Sequence, residues 1–82
     1  MYRILTERKN VELVKETLGG LGLDYTVYYG DGSWHGQPEA SMSIELDNVS
    51  ADTARQVASA IKQINHQEAV LLQEIAASNQ FL

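Results

Sequence analysis

Residues 40–64 read ASMSIELDNVSADTARQVASAIKQI, and they place two different periodicities back to back. From Ala40 to Asp47 the chain alternates, with Met42, Ile44 and Leu46 on one side and Ser41, Ser43 and Glu45 on the other. Period two of this kind marks a half-buried strand. Ser50 then caps a helix with Asp52 in its first turn, where an acidic group suits the helix dipole. Ala54, Val57, Ala58, Ile61 and Ile64 recur at helical spacing, while Arg55, Gln56, Ser59, Lys62 and Gln63 face water. Asn65-His66 ends the helix. A strand followed at once by an amphipathic helix sets the frame for the rest of the chain.

Upstream, Asp24–Tyr29 is dense in β-formers, with Tyr25, Val27 and Tyr29 opposite Thr26 and Tyr28. Gly30–Glu39 breaks every pattern and reads as a long hairpin loop, joining this strand antiparallel to Ala40–Asp47. Tyr2–Glu7 alternates as a first strand. Asn10 is placed to cap a helix over about Val11–Leu18, with Val11, Val14, Leu18 and Leu21 as its apolar stripe and Gly19-Gly20 as its left-handed stop. Downstream, Ala69–Ile75 reads as a fourth, largely buried strand. The order β-α-β-β-α-β is the split βαβ of ferredoxin-like folds. It predicts an α+β domain over residues 1–76, a four-stranded antiparallel sheet with both helices on one face. The other face is left bare, with Leu5 and Tyr28 pointing out of it. The tail, residues 77–82, is polar until Phe81-Leu82, which are expected to dock on the domain or on a neighbouring subunit.

Composition sets limits on function. The chain has 82 residues, 44% hydrophobic and 21% charged, and no cysteine. That is enough for one modest core without disulfides or thiolate metal sites, so self-association is the remaining source of buried surface. A bare apolar face invites dimers or trimers. The longest apolar run, Ala69–Leu72, is far too short to span a bilayer, and no signal-peptide pattern opens the sequence. A cytoplasmic location is the expectation. Six basic residues stand against eleven acidic, a net charge of −5, which argues against binding a nucleic-acid backbone. The acids Glu7, Glu12, Glu16, Asp24, Asp31, Glu39 and Glu45 are scattered, so ordinary solubilising charge explains them better than a DNA-mimicking stripe.

The candidate binding element is Gly30-Asp31-Gly32-Ser33-Trp34-His35-Gly36-Gln37-Pro38-Glu39. Loops this long in a compact domain are often functional, and its glycines let backbone approach a ligand or form a concave anion site. Turn-forming glycines with Trp34 covering a core edge are the plainer alternative. The loop is neither a P-loop nor a glycine fingerprint opening a helix. Arg8-Lys9 beside the first helix offers a second anion site, and Tyr28 a ring for stacking. The ligand set is therefore Tyr28, Gly30, Gly32, Ser33, Trp34, His35, Gly36 and Glu39 with Arg8 and Lys9. His35, His66 and Glu68 are weak metal candidates, because they converge only if the fold brings them together. Catalysis is not expected, and no cofactor is implied. There is no Cys, no Ser in a nucleophile elbow, and Glu39 and Glu45 are too far apart along a strand to act as a pair.

From Tyr29 to Leu46, an aromatic residue, Trp34-His35-Gly36 and Glu39 lead into an alternating strand. This segment resembles the central strand-loop-strand of the CutA branch of PII-like proteins. His66-Gln67-Glu68-Ala69-Val70 is similar to the place where that family leaves its second helix. The likeness covers about half the chain. The first helix is shorter than the family's, the family's cysteine and several prolines are missing, and Gly30-Asp31-Gly32 is an addition. The resemblance implies a ferredoxin-like trimer that binds nucleotides or small metabolites, or in CutA-like members divalent metal, in clefts between subunits. A different reading of a small acidic chain is a virus- or mobile-element-encoded inhibitor. It would act by protein contact or by sequestering a signalling nucleotide.

Overall fold

In the computed structural model, which describes residues 1–76 and residue 80, six elements follow in the expected order. They are β1 (Tyr2–Glu7), α1 (Val11–Gly20), β2 (Asp24–Trp34), β3 (Gln37–Asp47), α2 (Ala51–Ile64) and β4 (Leu71–Glu74). The strands form one sheet in the order β2-β3-β1-β4, every neighbouring pair antiparallel. Each crossover through a helix therefore joins parallel strands with a third strand between them, the βαββαβ arrangement. The docking expected of Phe81-Leu82 lies outside the described residues. Among those residues no helix is long and apolar enough to cross a membrane.

The two periodicities of residues 40–64 build the core. Met42, Ile44 and Leu46 of β3 and Ile4 of β1 lie on one sheet face. Val14 and Leu18 of α1 and Ala54, Val57, Ala58 and Ile61 of α2 cover them. Ser50 caps α2 as expected, its hydroxyl accepting the Thr53 N–H at 3.1 Å.

Four boundaries differ from the sequence reading. The first helix continues through Gly19-Gly20 and stops at Gly22, the residue with positive φ, +67°. Gly22 N–H donates to Gly19 O and Leu23 N–H to Leu18 O, a Schellman closure that brings Leu23 back against the core. At its start, Asn10 does not cap: its backbone is left-handed and its side chain makes no bond to α1. Instead Asn10 Nδ2 donates to Ile64 O at 3.2 Å and to Asn65 Oδ1 at 3.0 Å, tying α1 to the end of α2.

The Gly30–Glu39 loop is not a loop. β2 and β3 pair in unbroken register from Asp24↔Asp47 to Trp34↔Gln37, leaving only His35-Gly36 as the turn. Both turn residues have positive φ, +51° and +77°, as a type I′ turn requires. Finally, β4 is four residues long and only half-buried, shorter and more exposed than the Ala69–Ile75 strand expected. One further bond, Ile75 N–H to Met1 O at 2.8 Å, continues its pairing with β1.

The end of α2 repeats the closure of α1 with a different residue. Asn65 is its C-cap, His66 takes the left-handed position at φ +51°, and Gln67 N–H donates to Lys62 O at 3.1 Å. Asn65 is fully buried, and its Nδ2 donates to Gln67 Oε1 at 3.2 Å. The hydroxyl of buried Thr6 donates to the same oxygen. Among the described residues, no buried side-chain polar atom lacks a partner.

Candidate functional site

Residues directly opposite one another in a sheet share a face, so the register assigns each side chain. The helices cover the face of Tyr25, Val27, Ile4, Ile44 and Leu72. The uncovered face carries Tyr28, Gly30, Gly32 and Trp34 from β2, and Glu39, Ser41 and Ser43 from β3. Leu5 and Glu7 of β1 and Leu71 of β4 share it, and further from the hairpin tip so do Thr26, Arg3, Glu45 and Gln73. Tyr28, Trp34 and Leu71 are about half exposed on this face.

Towards the hairpin tip the face sinks into a depression of about 410 Å³. Trp34 stands on one side of it and Leu5 and Leu71 on the other, with Gly32 and Ser41 between and Glu7 and Glu39 also lining it. Gly32 keeps it open. A Cβ there would come within 3.3 Å of Ser41 Cβ and 3.4 Å of its Oγ. The absent side chain at Gly30 likewise leaves room above Ser41, whose Oγ lies 3.7 Å from where a Cβ would be. Ser33 also lines the depression, and Gly36 serves the turn.

A smaller hollow of about 210 Å³ lies beside it, sharing Glu7, Trp34, Glu39 and Gln67 and adding His66, Glu68 and Ala69. Here the hairpin tip meets the α2–β4 connection. His35 Nε2 lies 3.7 Å from Glu68 Oε2, and its ring meets Trp34 edge to face with centroids 4.6 Å apart. The fold thus does bring His35 to Glu68, and His66 to the same hollow. Among the described residues, however, no group of three or more His, Cys, Asp or Glu side chains is gathered to hold a metal ion.

Arg8 and Lys9 do not join this site. Arg8 N–H donates to Ala40 O at 2.8 Å, but its guanidinium lies over the Tyr29 ring, 5.3 Å from the centroid, on the helix-covered side of the sheet. Lys15 Nζ approaches the same ring at 5.8 Å. Lys9 is exposed beside Asn10 at the entrance to α1. Arg3 is engaged with Glu45 directly opposite, at 2.9 Å. The charge beside the depression is therefore carboxylate. A ligand there meets an apolar wall and acceptors suited to its own N–H or O–H donors.

Sequence reasoning missed Glu7, Ser41, Gln67 and Leu71 as lining residues. Alternation already put Glu7, Ser41 and Leu5 on the bare face, so the register of β1 against β3 would have found them. Nothing in the sequence signals Gln67. No family model matches this chain, and no curated protein matches it.

Proposed function

We propose that the protein is a non-enzymatic small-ligand binder that seats its ligand on the uncovered sheet face against Trp34. The observation that carries this is the depression kept open at Gly32, walled by Trp34, Leu5 and Leu71 with Glu7 and Glu39 alongside. Concave sites with apolar walls and a few convergent polar groups are the usual form of small-molecule sites. A nucleotide or related metabolite fits such a site base first, its ring against Trp34 and its amino or hydroxyl donors toward Glu7 and Glu39. Phosphates would then need cations from elsewhere, because Arg8 and Lys15 are stacked on Tyr29 across the sheet and Arg3, on the same face, is paired with Glu45. A second subunit supplies them most directly. That agrees with the homo-oligomer, a trimer in PII-like proteins, and the intersubunit clefts that the resemblance implies.

Trp34 is the only tryptophan, so its fluorescence reports this site alone. Titrating the protein with a panel of nucleosides, nucleotides, amines and divalent metals should change that emission, with heat of binding in calorimetry. A silent panel in both measurements removes the reading. A second reading, a docking face for a protein partner, draws on the exposure of Tyr28, Trp34 and Leu71 together. Native mass spectrometry of the purified protein separates the two: a retained small molecule favours the first, a retained polypeptide the second.

A further inference from the structure

The sheet has two edges of unequal character. β4 is four residues long. β2 is eleven residues long, pairs on one side only among the described residues, and runs straight in register along its whole length. Natural edges are usually shortened, bulged, or guarded by Lys or Pro, because their free N–H and C=O groups recruit another strand. β2 has no Lys, no Pro and no break in register, and its only charges are Asp24 and Asp31.

The turn fixes which backbone groups are free. A two-residue turn closes on a hydrogen-bonded pair, here Trp34 and Gln37. Hydrogen-bonded and open pairs then alternate along the hairpin. The N–H and C=O groups of Tyr25, Val27, Tyr29, Asp31 and Ser33 consequently point away from β3, to the open edge. The same alternation turns Ala40 C=O toward β1, where it accepts the Arg8 N–H at 2.8 Å.

Tyr29 is the midpoint of Asp24–Trp34. Laid antiparallel about a twofold axis at Tyr29, two β2 strands set Tyr25 against Ser33 of the second copy, Val27 against Asp31, and Tyr29 against its own counterpart. Every outward group on each strand then has a partner. Sliding the strands by two residues leaves some unpaired. Side chains agree with this register: Tyr28 falls opposite Gly30 and Thr26 opposite Gly32, so the glycines are covered. Within the paired strands no like charges meet directly, since Asp31 falls opposite Val27 and Asp24 opposite Trp34, while Arg8 and Lys15 of each copy stay stacked on its own Tyr29 beside the axis.

We propose that β2 is a homodimer interface, joining two sheets edge to edge into one of eight strands. The twofold axis stands perpendicular to the sheet, so both Trp34 depressions open on the same side. This rests on the reading of the chain as a homo-oligomer, and gives it a twofold where the family resemblance implies a threefold.

The lack of native cysteine makes the register directly testable. Under mild oxidation Tyr29→Cys should form a disulfide-linked dimer. Thr26→Cys alone should not, since its counterpart lies six residues away, about 20 Å at strand rise. Mixed with Gly32→Cys, it should cross-link. On the unaltered protein, light scattering should give twice the 9.1 kDa chain mass. Amide exchange at Tyr25, Val27, Tyr29, Asp31 and Ser33 should slow as concentration rises, a readout that needs no variant. A mass of one chain overturns the interface and the self-association in the proposed function together. A mass of three chains, or fast exchange at those amides in an oligomer, overturns the twofold alone and leaves the ligand reading standing. Binding at Trp34 is scored separately by its fluorescence.

Discussion

Asn10 donates through Nδ2 to the side-chain oxygen of Asn65 at 3.0 Å, so the start of the first helix is fastened to the end of the second. The two residues are far apart in sequence, yet they occupy the ends of elements that share one core. From Asn65 the chain of bonds continues through Gln67 to Thr6 of β1. One buried side chain thereby joins both helices, the first strand and the connection to β4.

Replacing that side chain should be costly. Asn65→Ala removes a fully buried side chain and both of its bonds, leaving Asn10 held only by Ile64 O and Gln67 only by Thr6, so a loss of about 1–3 kcal/mol is expected in urea unfolding. A change below about 0.5 kcal/mol would mean that the network contributes nothing to stability.

His66 should be improvable. It holds the left-handed position of the α2 closure at φ +51°, where a Cβ is unfavourable. His66→Gly should raise stability by about 1 kcal/mol, and His66→Val should lower it. For a domain of this size the glycine variant then melts roughly 4–8 °C higher. Equal melting temperatures for both variants would contradict the backbone assignment.

Gly32→Val tests the depression. The new side chain meets Ser41 at 3.3–3.4 Å and occupies the space between Trp34 and Leu71. Any compound that shifts Trp34 emission should bind at least about tenfold more weakly, a loss of some 1.4 kcal/mol. Circular dichroism should show the fold retained. Unchanged affinity would place the ligand elsewhere.

Lys15 should hold its proton above the ordinary value of 10.5, chiefly through the Tyr29 side chain beside it, first by the polar interaction with its hydroxyl and then by charge interaction between the two. A raised folded value means that this stabilisation is complete below the unfolded lysine pKa. It is lost as pH climbs through the folded value. Tyr29→Phe keeps the ring under the ammonium group but removes the hydroxyl, and should return Lys15 toward 10.5 in an NMR titration. A titration unaltered by the substitution would assign the shift to another neighbour.

The elements were legible where one face meets the core. Met42, Ile44 and Leu46, and the helical series Ala54 to Ile61, declare their periods because burial selects one residue type at each inward step. The outer half of the hairpin was hidden because it has no such selection. From Gly30 to Ser41 no residue is buried, so its strand pairing rests on backbone bonds that leave no hydrophobic alternation. Its turn was hidden as well, since His35 stands where Asn or Asp usually announces a two-residue hairpin. The candidate site followed the same division. Trp34, Gly32 and Glu39 were visible as oddities in the chain. Glu7, Gln67 and Leu71 became neighbours of Trp34 only through the pairing of β1 with β3 and β4 and the path of the α2–β4 connection.

The hairpin's outer half also bears on how this protein can change over time. Its residues contribute nothing to the buried cluster, while the inner half of β3 supplies Met42, Ile44 and Leu46 to it and that of β2 packs Tyr25 and Val27 against it. Apart from the His35-Gly36 turn, substitutions from Gly30 to Ser41 are therefore free to alter recognition with little effect on folding. Descendants of this chain could diverge in what they bind while keeping the same scaffold.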